Sequence, residues 1–271
     1  SLQKKENNRL KEEQEHYLKL TKEEYQKQLQ QKEEIEKKVA DIRHRLFELI
    51  GVPEGGIEFG QAVEIARLNL LLAALDERTK LPLLSDNIKN GNSLISGTDK
   101  ELEKYFGKNF KDKKPFNWQE EFPEVFKQGG FDVIIGNPPW GAGMESTDKS
   151  FYKDNFVAGK GIIDTFALFT EKSMKLLNEA GRWGFILPDI VLLKNYPQIR
   201  KLILDNSVIN DIYYTGMAFH GVNLDSVVLI AKKEKSEEKR NENNIRVIAG
   251  DGESEIKQKL FLKNTDYKFN L

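Results

Sequence analysis

One four-residue motif carries the chemistry that this sequence indicates: Asn137-Pro138-Pro139-Trp140. Two consecutive prolines fix φ and donate no backbone N–H, so the chain turns stiffly and presents carbonyl oxygens. The Asn137 side chain adds an amide oxygen next to them, and the Trp140 ring supplies a flat stacking surface. Acceptors beside an aromatic plane suit a flat ring that bears an amino group. The alternative is that Asn-Pro-Pro forms an ordinary turn.

The amino group of adenine fits this arrangement. Its nitrogen is a poor nucleophile because the lone pair is delocalised into the ring. If the Asn137 side chain and the Pro138 carbonyl accept both amino hydrogens, they favour a pyramidal nitrogen with a usable lone pair, which is electrostatic preorganisation. A base inside a duplex must be flipped out to reach such a site. Stacking on Trp140 offsets part of that energy, at about 1–3 kcal/mol per base.

The elements around the motif predict an α/β sheet. The apolar run Phe131–Gly136, which directly precedes the motif, predicts a fully buried strand of the parallel type. Ligands of such sheets bind at the carboxyl ends of the strands. Helices alternate with further strands along the chain, which favours a doubly wound sheet with an antiparallel strand at its end. The predicted helices are 61–75, 163–178 and 196–205, and the further strands are 181–188, 209–216 and 225–233.

Composition excludes several classes of protein. The 271 residues carry a formal net charge of −1, so DNA contact must come from a local patch or from another part of the protein. The sequence has no cysteine, and its three histidines have no metal-ligand spacing, so neither disulfides nor a metal site is predicted. No apolar run approaches the roughly 18 residues of a membrane span, and a cytoplasmic protein is expected.

Three segments follow from the pattern of residues. Residues 1–50 lack Gly and Pro and predict a helical arm, with one apolar stripe formed by Ile35, Val39, Ile42, Leu46 and Leu49. This arm is expected either to dock on the domain or to self-associate as a coiled coil. Residues 51–235 predict the α/β domain. Residues 236–271 predict a linker and the possible start of a target-recognition domain.

The segment FNWQEEFPEVFKQGGFDVIIGNPPW (residues 116–140) resembles the region before the catalytic motif of amino-type DNA adenine methyltransferases. More narrowly, it resembles the methyltransferase region of type IIG restriction–modification enzymes, and the resemblance covers about residues 56–232. It implies a Rossmann-like sheet that uses S-adenosylmethionine and methylates adenine N6 by direct displacement. It also implies double-stranded DNA as the partner of the full-length protein.

The resemblance also implies roles for single residues. Glu58 is expected near the ribose of the cofactor, and Asn92 of NGNSL at its adenine. Asp164 and Phe166 are expected to line the cofactor and base pocket, and Phe219 to hold the flipped base against Trp140. Four of these residues have an alternative role, which is a surface carboxylate for Glu58, a turn cap for Asn92, a helix cap for Asp164 and a core position for Phe219.

The sequence departs from the family pattern at the Gly-rich turn of Asp-Pro-x-x-Gly-x-Gly type, which should precede residue 56 but is absent. Either the chain is a fragment that begins after this turn, or the order is permuted and residues 245–254 replace it. A fragment is expected to bind S-adenosylmethionine poorly and to be inactive alone. Micromolar binding in a calorimetric titration would contradict this expectation.

Other functions remain open at this point. Asn-Pro-Pro-aromatic sites also serve methyltransferases that act on amines of RNA or protein, and the chain could be a non-catalytic scaffold or oligomerisation module on a degenerate methyltransferase fold. A nuclease is not predicted, because Pro188-Asp189 and Glu255-Ile256-Lys257 lie far apart in the sequence.

Overall fold

The computed structural model describes residues 87–216 and 224–271, together with Ala66 and Leu70. The chain divides into two units, Ser1–Asn90 and Gly91–Leu271, and the fold described below is that of the second unit. The predicted arm and the predicted helix 61–75 lie outside the described residues.

Six strands form one mixed sheet in the order β1-β2-β4-β3-β5-β6. The pairs β1/β2 and β3/β5 are parallel, whereas β4 runs antiparallel to both β2 and β3, and β6 runs antiparallel to β5. The strands are β1 (Phe131–Gly136), β2 (Leu177–Pro188), β3 (Ser207–Gly216), β4 (Ser226–Lys233), β5 (Asn244–Ala249) and β6 (Gly252–Lys257).

Short helices connect these strands, and they are numbered here in chain order. The α-helices are α1 (Asp99–Phe106), α2 (Trp118–Glu121), α3 (Pro123–Lys127), α4 (Ser146–Asn155), α5 (Thr165–Leu176), α6 (Ile190–Leu193), α7 (Pro197–Asn206) and α8 (Glu237–Glu242). Turns of 3₁₀ helix span Gly107–Lys113, Ala158–Lys160, Gln258–Lys263 and Thr265–Tyr267. Within the described residues, no helix is long and apolar enough to span a membrane.

Alternation along the central strands builds the core. Trp183, Phe185 and Leu187 of β2 are buried, and the residues between them are more exposed, as expected for a strand with one face against helices. Trp183 pairs with Ala231 of β4, and Phe185 pairs with Leu229, so the buried face continues across the sheet. The α/β class predicted from the sequence is therefore confirmed in the described residues.

The C-terminal residues extend this unit. Strands β5 and β6 add to the sheet, and the rings of Phe261 and Phe269 stack at 4.8 Å inside the core. The fully buried Arg200 of α7 donates hydrogen bonds of 3.0 and 2.9 Å to the carbonyl oxygen of Asp266. The structure therefore folds much of the segment 236–271 onto the domain. Its predicted continuation into a target-recognition domain stays a prediction.

Candidate active site

The Asn-Pro-Pro-Trp motif leaves the sheet at the carboxyl end of β1. Asn137 follows Gly136, the last residue of the strand, and its side chain is exposed, whereas Pro138 is buried. The sequence predicts a fully buried strand, but Val133 and Ile135 are 59% and 80% exposed. Both side chains line the cavity described next, and β1 is at the edge of the described sheet and pairs only with β2.

A cavity of about 500 Å³ opens beside the motif. Its walls are mainly apolar and carry few polar side chains, which is typical of sites for small molecules. The lining residues are Ser93, Trp118, Phe131, Val133, Ile134, Ile135, Gly136, Asn137, Pro138, Pro139, Phe169, Lys172, Ser173, Leu176 and Phe185. Asn137 and Pro138, the two predicted acceptors of an amino group, thus line the same cavity.

Residues at the N-terminus of helix α5 form hydrogen bonds with the motif on both sides of Trp140. The Thr165 hydroxyl donates to the carbonyl oxygen of Pro139 at 2.6 Å, and the backbone N–H of Gly141 donates to the Asp164 carboxylate at 3.0 Å. Gly141 has φ +62°, a left-handed conformation that favours glycine. Between these two attachments, the Trp140 side chain is half-buried and packs against the core.

Asp164 is the N-cap of α5. Its carboxylate accepts from the N–H of Phe166 at 3.4 Å and from the Tyr196 hydroxyl at 3.4 Å, in addition to Gly141. Burial and the neighbouring Asp164 carboxylate raise the pKa of Tyr196 to about 12. Asp164 does not line the cavity beside Asn137, and its predicted contact with a cofactor stays a prediction.

Like Asp164, three further predicted residues are not among the residues that line the cavity, namely Trp140, Phe166 and Asn92. Phe166 is fully buried, with its ring edge-on to that of Tyr196 at 5.0 Å, and Phe169, one turn later, lines the cavity instead. The Asn92 side chain accepts from the N–H of Leu94 at 3.1 Å and so forms a turn, while its neighbour Ser93 lines the cavity. Glu58 and Phe219 lie outside the described residues.

The sequence of this region matches a known family. Residues 58–219, more than half of the chain, match the Eco57I restriction-modification methylase family. The chain belongs to this family of methylases. The match includes the motif at the end of β1 and the helix α5 that holds it.

Curated relatives of this Eco57I-family methylase include two type II enzymes. The type II methyltransferase M.VspI of Vibrio sp. (strain 343) is 32% identical over 141 residues, which are 52% of this chain and 33% of the relative. The type II restriction enzyme and methyltransferase RM.Eco57I of Escherichia coli is 30% identical over 174 residues, 57% of this chain and 16% of the relative. The chain therefore spans no more than a third of either.

Solved structures similar to this methylase include the ATP-dependent type ISP restriction–modification enzyme LlaBIII bound to DNA. It has a TM-score of 0.43 and 16% identity, over 69% of this chain and 14% of that chain. The type IIG restriction endonuclease BpuSI has a TM-score of 0.40 and 14% identity, over 51% of this chain and 20% of that chain. At these values the similarity adds nothing to the family assignment.

The charged residue that lines the cavity was not predicted from the sequence. Lys172 of α5 lines the cavity, and its ammonium group donates to the Ser96 hydroxyl at 2.8 Å. Burial and the nearby Lys175 lower the pKa of Lys172 to about 8. Its position three residues after Phe169 places both on one face of α5. In a lysine-rich sequence, however, that spacing gives no signal of a binding site.

Proposed function

We propose that this chain is the methyltransferase part of a restriction–modification enzyme, which methylates N6 of a flipped adenine in double-stranded DNA with S-adenosylmethionine as the methyl donor. The observation that carries this proposal is that Asn137 and Pro138 line one cavity at the carboxyl end of β1. Membership of a methylase family and the names of the curated relatives support it.

The cavity suits the proposed methyl donor. Its volume of about 500 Å³ lies in the range of small-molecule sites, about 300–1,000 Å³. Phe169 and Leu176 offer apolar walls for a flat ring, and Ser93 and Lys172 offer hydrogen-bonding groups. When bound, S-adenosylmethionine supplies an electrophilic methyl group on a sulfonium. Ser93, Phe169 and Lys172 are the residues proposed to hold it.

The chain's own residues prepare the amino group for attack. The Asn137 amide oxygen accepts one amino hydrogen and the Pro138 carbonyl accepts the other, which favours a pyramidal nitrogen. Among the described residues, none donates a hydrogen bond to the Asn137 side chain, so its oxygen is available to a substrate. Trp140 stacks on the base, and Phe219 is proposed to cover its other face. Direct displacement needs no covalent enzyme intermediate, and the N6 proton can leave after methyl transfer.

The partners proposed for the chain follow from its charge and its arm. With a formal net charge of −1, the chain is proposed to bind DNA through other parts of the full-length protein. Self-association through residues 1–50 is proposed from the apolar stripe, and light scattering with and without residues 1–46 tests it. An unchanged oligomeric state would count against this role. We also place the enzyme in the cytoplasm.

Substitution of Asn137 tests the catalytic role. In the full-length protein, Asn137→Ala removes an acceptor aimed at the developing charge, and we expect kcat for DNA methylation to fall by about 10²–10³-fold. Binding of S-adenosylhomocysteine and the melting temperature should stay unchanged, because the exposed side chain supports no described contact. Asn270→Ala, at another exposed asparagine, serves as the matched control.

The choice of substrate is tested in the same assay. DNA, ribosomal RNA and protein are offered separately to the wild-type enzyme with labelled methyl donor, and N6-methyladenine in DNA is the expected product. Methylation of RNA or protein alone would support the corresponding alternative. Wild-type activity of Asn137→Ala on DNA would overturn the proposed role of the motif. No methylation of any substrate by the full-length enzyme would favour a non-catalytic scaffold.

A further inference from the structure

Lys172 stands at the boundary between two cavities. It lines the mainly apolar cavity beside Asn137 and also a second, more polar cavity of about 550 Å³. Trp118 and Leu176 are the other residues that line both. From this position the Lys172 side chain can contact a ligand in the first cavity without any movement of the α5 backbone.

The ammonium group of Lys172 has spare hydrogen-bonding capacity. Within the part of the chain that the structure describes, its one hydrogen bond goes to Ser96, and no carboxylate lies within salt-bridge distance. Lys175, three residues later, shows the contrast, because its ammonium lies 2.7 Å from the Glu171 carboxylate. An ammonium carries three donors, and a half-buried charge without a counter-ion is unfavourable. Burial of the Lys172 ammonium group therefore lowers the stability of the folded protein, yet the fold keeps this side chain beside the cavity.

The surroundings of Lys172 indicate which part of a ligand it meets. Phe169, Trp118 and Leu176 are apolar or aromatic, and such walls suit a flat heterocycle better than a doubly charged amino-acid group. Ser93 contributes a hydroxyl to the same cavity. In the proposed methyl donor the flat group is adenine, whose ring nitrogens N1, N3 and N7 are hydrogen-bond acceptors.

We propose that Lys172 positions the cofactor by donating a hydrogen bond to a ring nitrogen of its adenine. This inference rests on the proposed function, since it takes S-adenosylmethionine as the ligand of the cavity. Ser96 holds the amine from the other side, so that the donor is directed before the ligand arrives. Lys172 is thus a positioning residue that acts on cofactor affinity and not on the reacting atoms.

Calorimetric binding of S-adenosylhomocysteine to the full-length protein tests the proposal without reference to activity. We expect Lys172→Met to weaken binding about tenfold, the effect of losing one charge-assisted hydrogen bond. Lys172→Arg, which keeps a donor, should restore most of the affinity. Lys149→Met, at an exposed lysine of α4 that lines neither cavity, is the control and should change affinity less than twofold.

Analogues of S-adenosylhomocysteine that lack N1, N3 or N7 identify the acceptor. The wild-type protein should bind one of these deaza analogues about tenfold more weakly than the parent compound. Lys172→Met should bind that analogue and the parent compound equally well, because the hydrogen bond is already lost. Such a coupling between one lysine and one ring atom cannot arise from a merely structural role.

Three results would overturn the inference. Unchanged affinity in Lys172→Met excludes the contact, and an equal loss for the parent compound and all three analogues indicates a structural effect. Melting temperatures of each variant show whether that effect is misfolding. A wild-type protein that binds no S-adenosylhomocysteine overturns the proposed function and this inference together, whereas wild-type binding that is insensitive to Lys172 overturns the inference alone.

Discussion

The Thr165 hydroxyl donates a hydrogen bond of 2.6 Å to the carbonyl oxygen of Pro139. The two prolines fix φ within the motif, but they leave the orientation of the Pro139 carbonyl free to vary. Thr165, the first residue of α5, fixes the orientation of this carbonyl by a hydrogen bond from outside the motif. The turn that presents Asn137 to the cavity is therefore stiffened both by its own sequence and by a helix that begins 28 residues later in the chain.

Replacement of Thr165 should separate this orientation from packing. Thr165→Val keeps the shape of the side chain but removes the hydroxyl, so we expect a loss of about 1 kcal/mol in the free energy of unfolding. Because the motif then moves, kcat for methylation should fall about tenfold in the full-length protein. Urea unfolding and a methylation assay measure the two effects. Thr165→Ser keeps the donor and should behave like the wild type; a full loss of activity in this variant would contradict the assigned role.

Asp164 allows a test between positioning and direct cofactor contact. Asp164→Ala removes the cap of α5 and the acceptor for Gly141, and we expect the free energy of unfolding to fall by about 1–2 kcal/mol. Asp164→Asn keeps a side-chain oxygen and should stay within about 0.5 kcal/mol of the wild type.

Affinity for S-adenosylhomocysteine decides between the two roles of Asp164. If the carboxylate only positions the motif, Asp164→Asn should bind the compound within twofold of the wild type. A tenfold loss of affinity in this well-folded variant would instead support the cofactor contact implied by the family resemblance.

The sequence was most informative where local patterns decide structure. The apolar run before Asn137 predicted β1, and the helical spacing of apolar residues predicted α5 to within two residues at either end. The strands β2 to β4 were predicted in the same way. The exposure of Val133 and Ile135 was harder to predict, because it depends on the cavity beside β1 and on which strands pair.

Small displacements separate the predicted site residues from the cavity wall. Ser93 lines the cavity instead of its neighbour Asn92, and Phe169 lines it instead of Phe166. A resemblance in sequence locates the right turn and the right helix. It does not fix which side chain of a helix faces the cavity and which faces the core, because that depends on packing against β2 and α7.

The last strand had little signal of its own, whereas the run at residues 245–249 already resembled a strand. Strand β6 has the sequence GESEIK, in which only Ile256 is apolar, so the alternation that marks a strand is missing. Its conformation is set by pairing with β5. Arg200 likewise gave no signal from sequence, because its role depends on backbone carbonyl groups that the fold brings to it, those of Val191 and Lys194 nearby in the chain and that of the distant Asp266.

Arg200 should be essential for the stability of this unit. Arg200→Met fills a similar volume but leaves the carbonyl groups of Val191, Lys194 and Asp266 without their donor, and the bond to Val191 is buried. We expect a loss of about 3 kcal/mol in the free energy of unfolding, together with faster hydrogen exchange in residues 258–271. Lys259→Met, at an exposed position in the same segment, is the control and should change stability by less than about 0.5 kcal/mol. Unchanged exchange in Arg200→Met would show that the arginine does not hold the C-terminal residues.

Lys172 should make the stability of the protein depend on pH in a defined direction. Its pKa is about 8 in the folded state, below the ordinary value of 10.5 expected in the unfolded chain. Between these two values the unfolded state binds more protons, so the contribution of Lys172 to the free energy of unfolding rises with pH. Below pH 8, the wild type carries the full unfavourable effect of burying the ammonium.

Lys172→Met removes this effect. The variant is expected to be more stable than the wild type at pH 7, and its advantage should shrink steadily between pH 8 and 10.5. Urea unfolding of both proteins across this range measures the difference in their free energies of unfolding. The other charged groups at the second cavity are present in both proteins, so their contributions cancel in this difference; they are Asp99, Glu101, Glu120 and Lys175. A difference that does not vary with pH would mean that the Lys172 ammonium is not held away from water, and that its place beside the cavity has no electrostatic consequence.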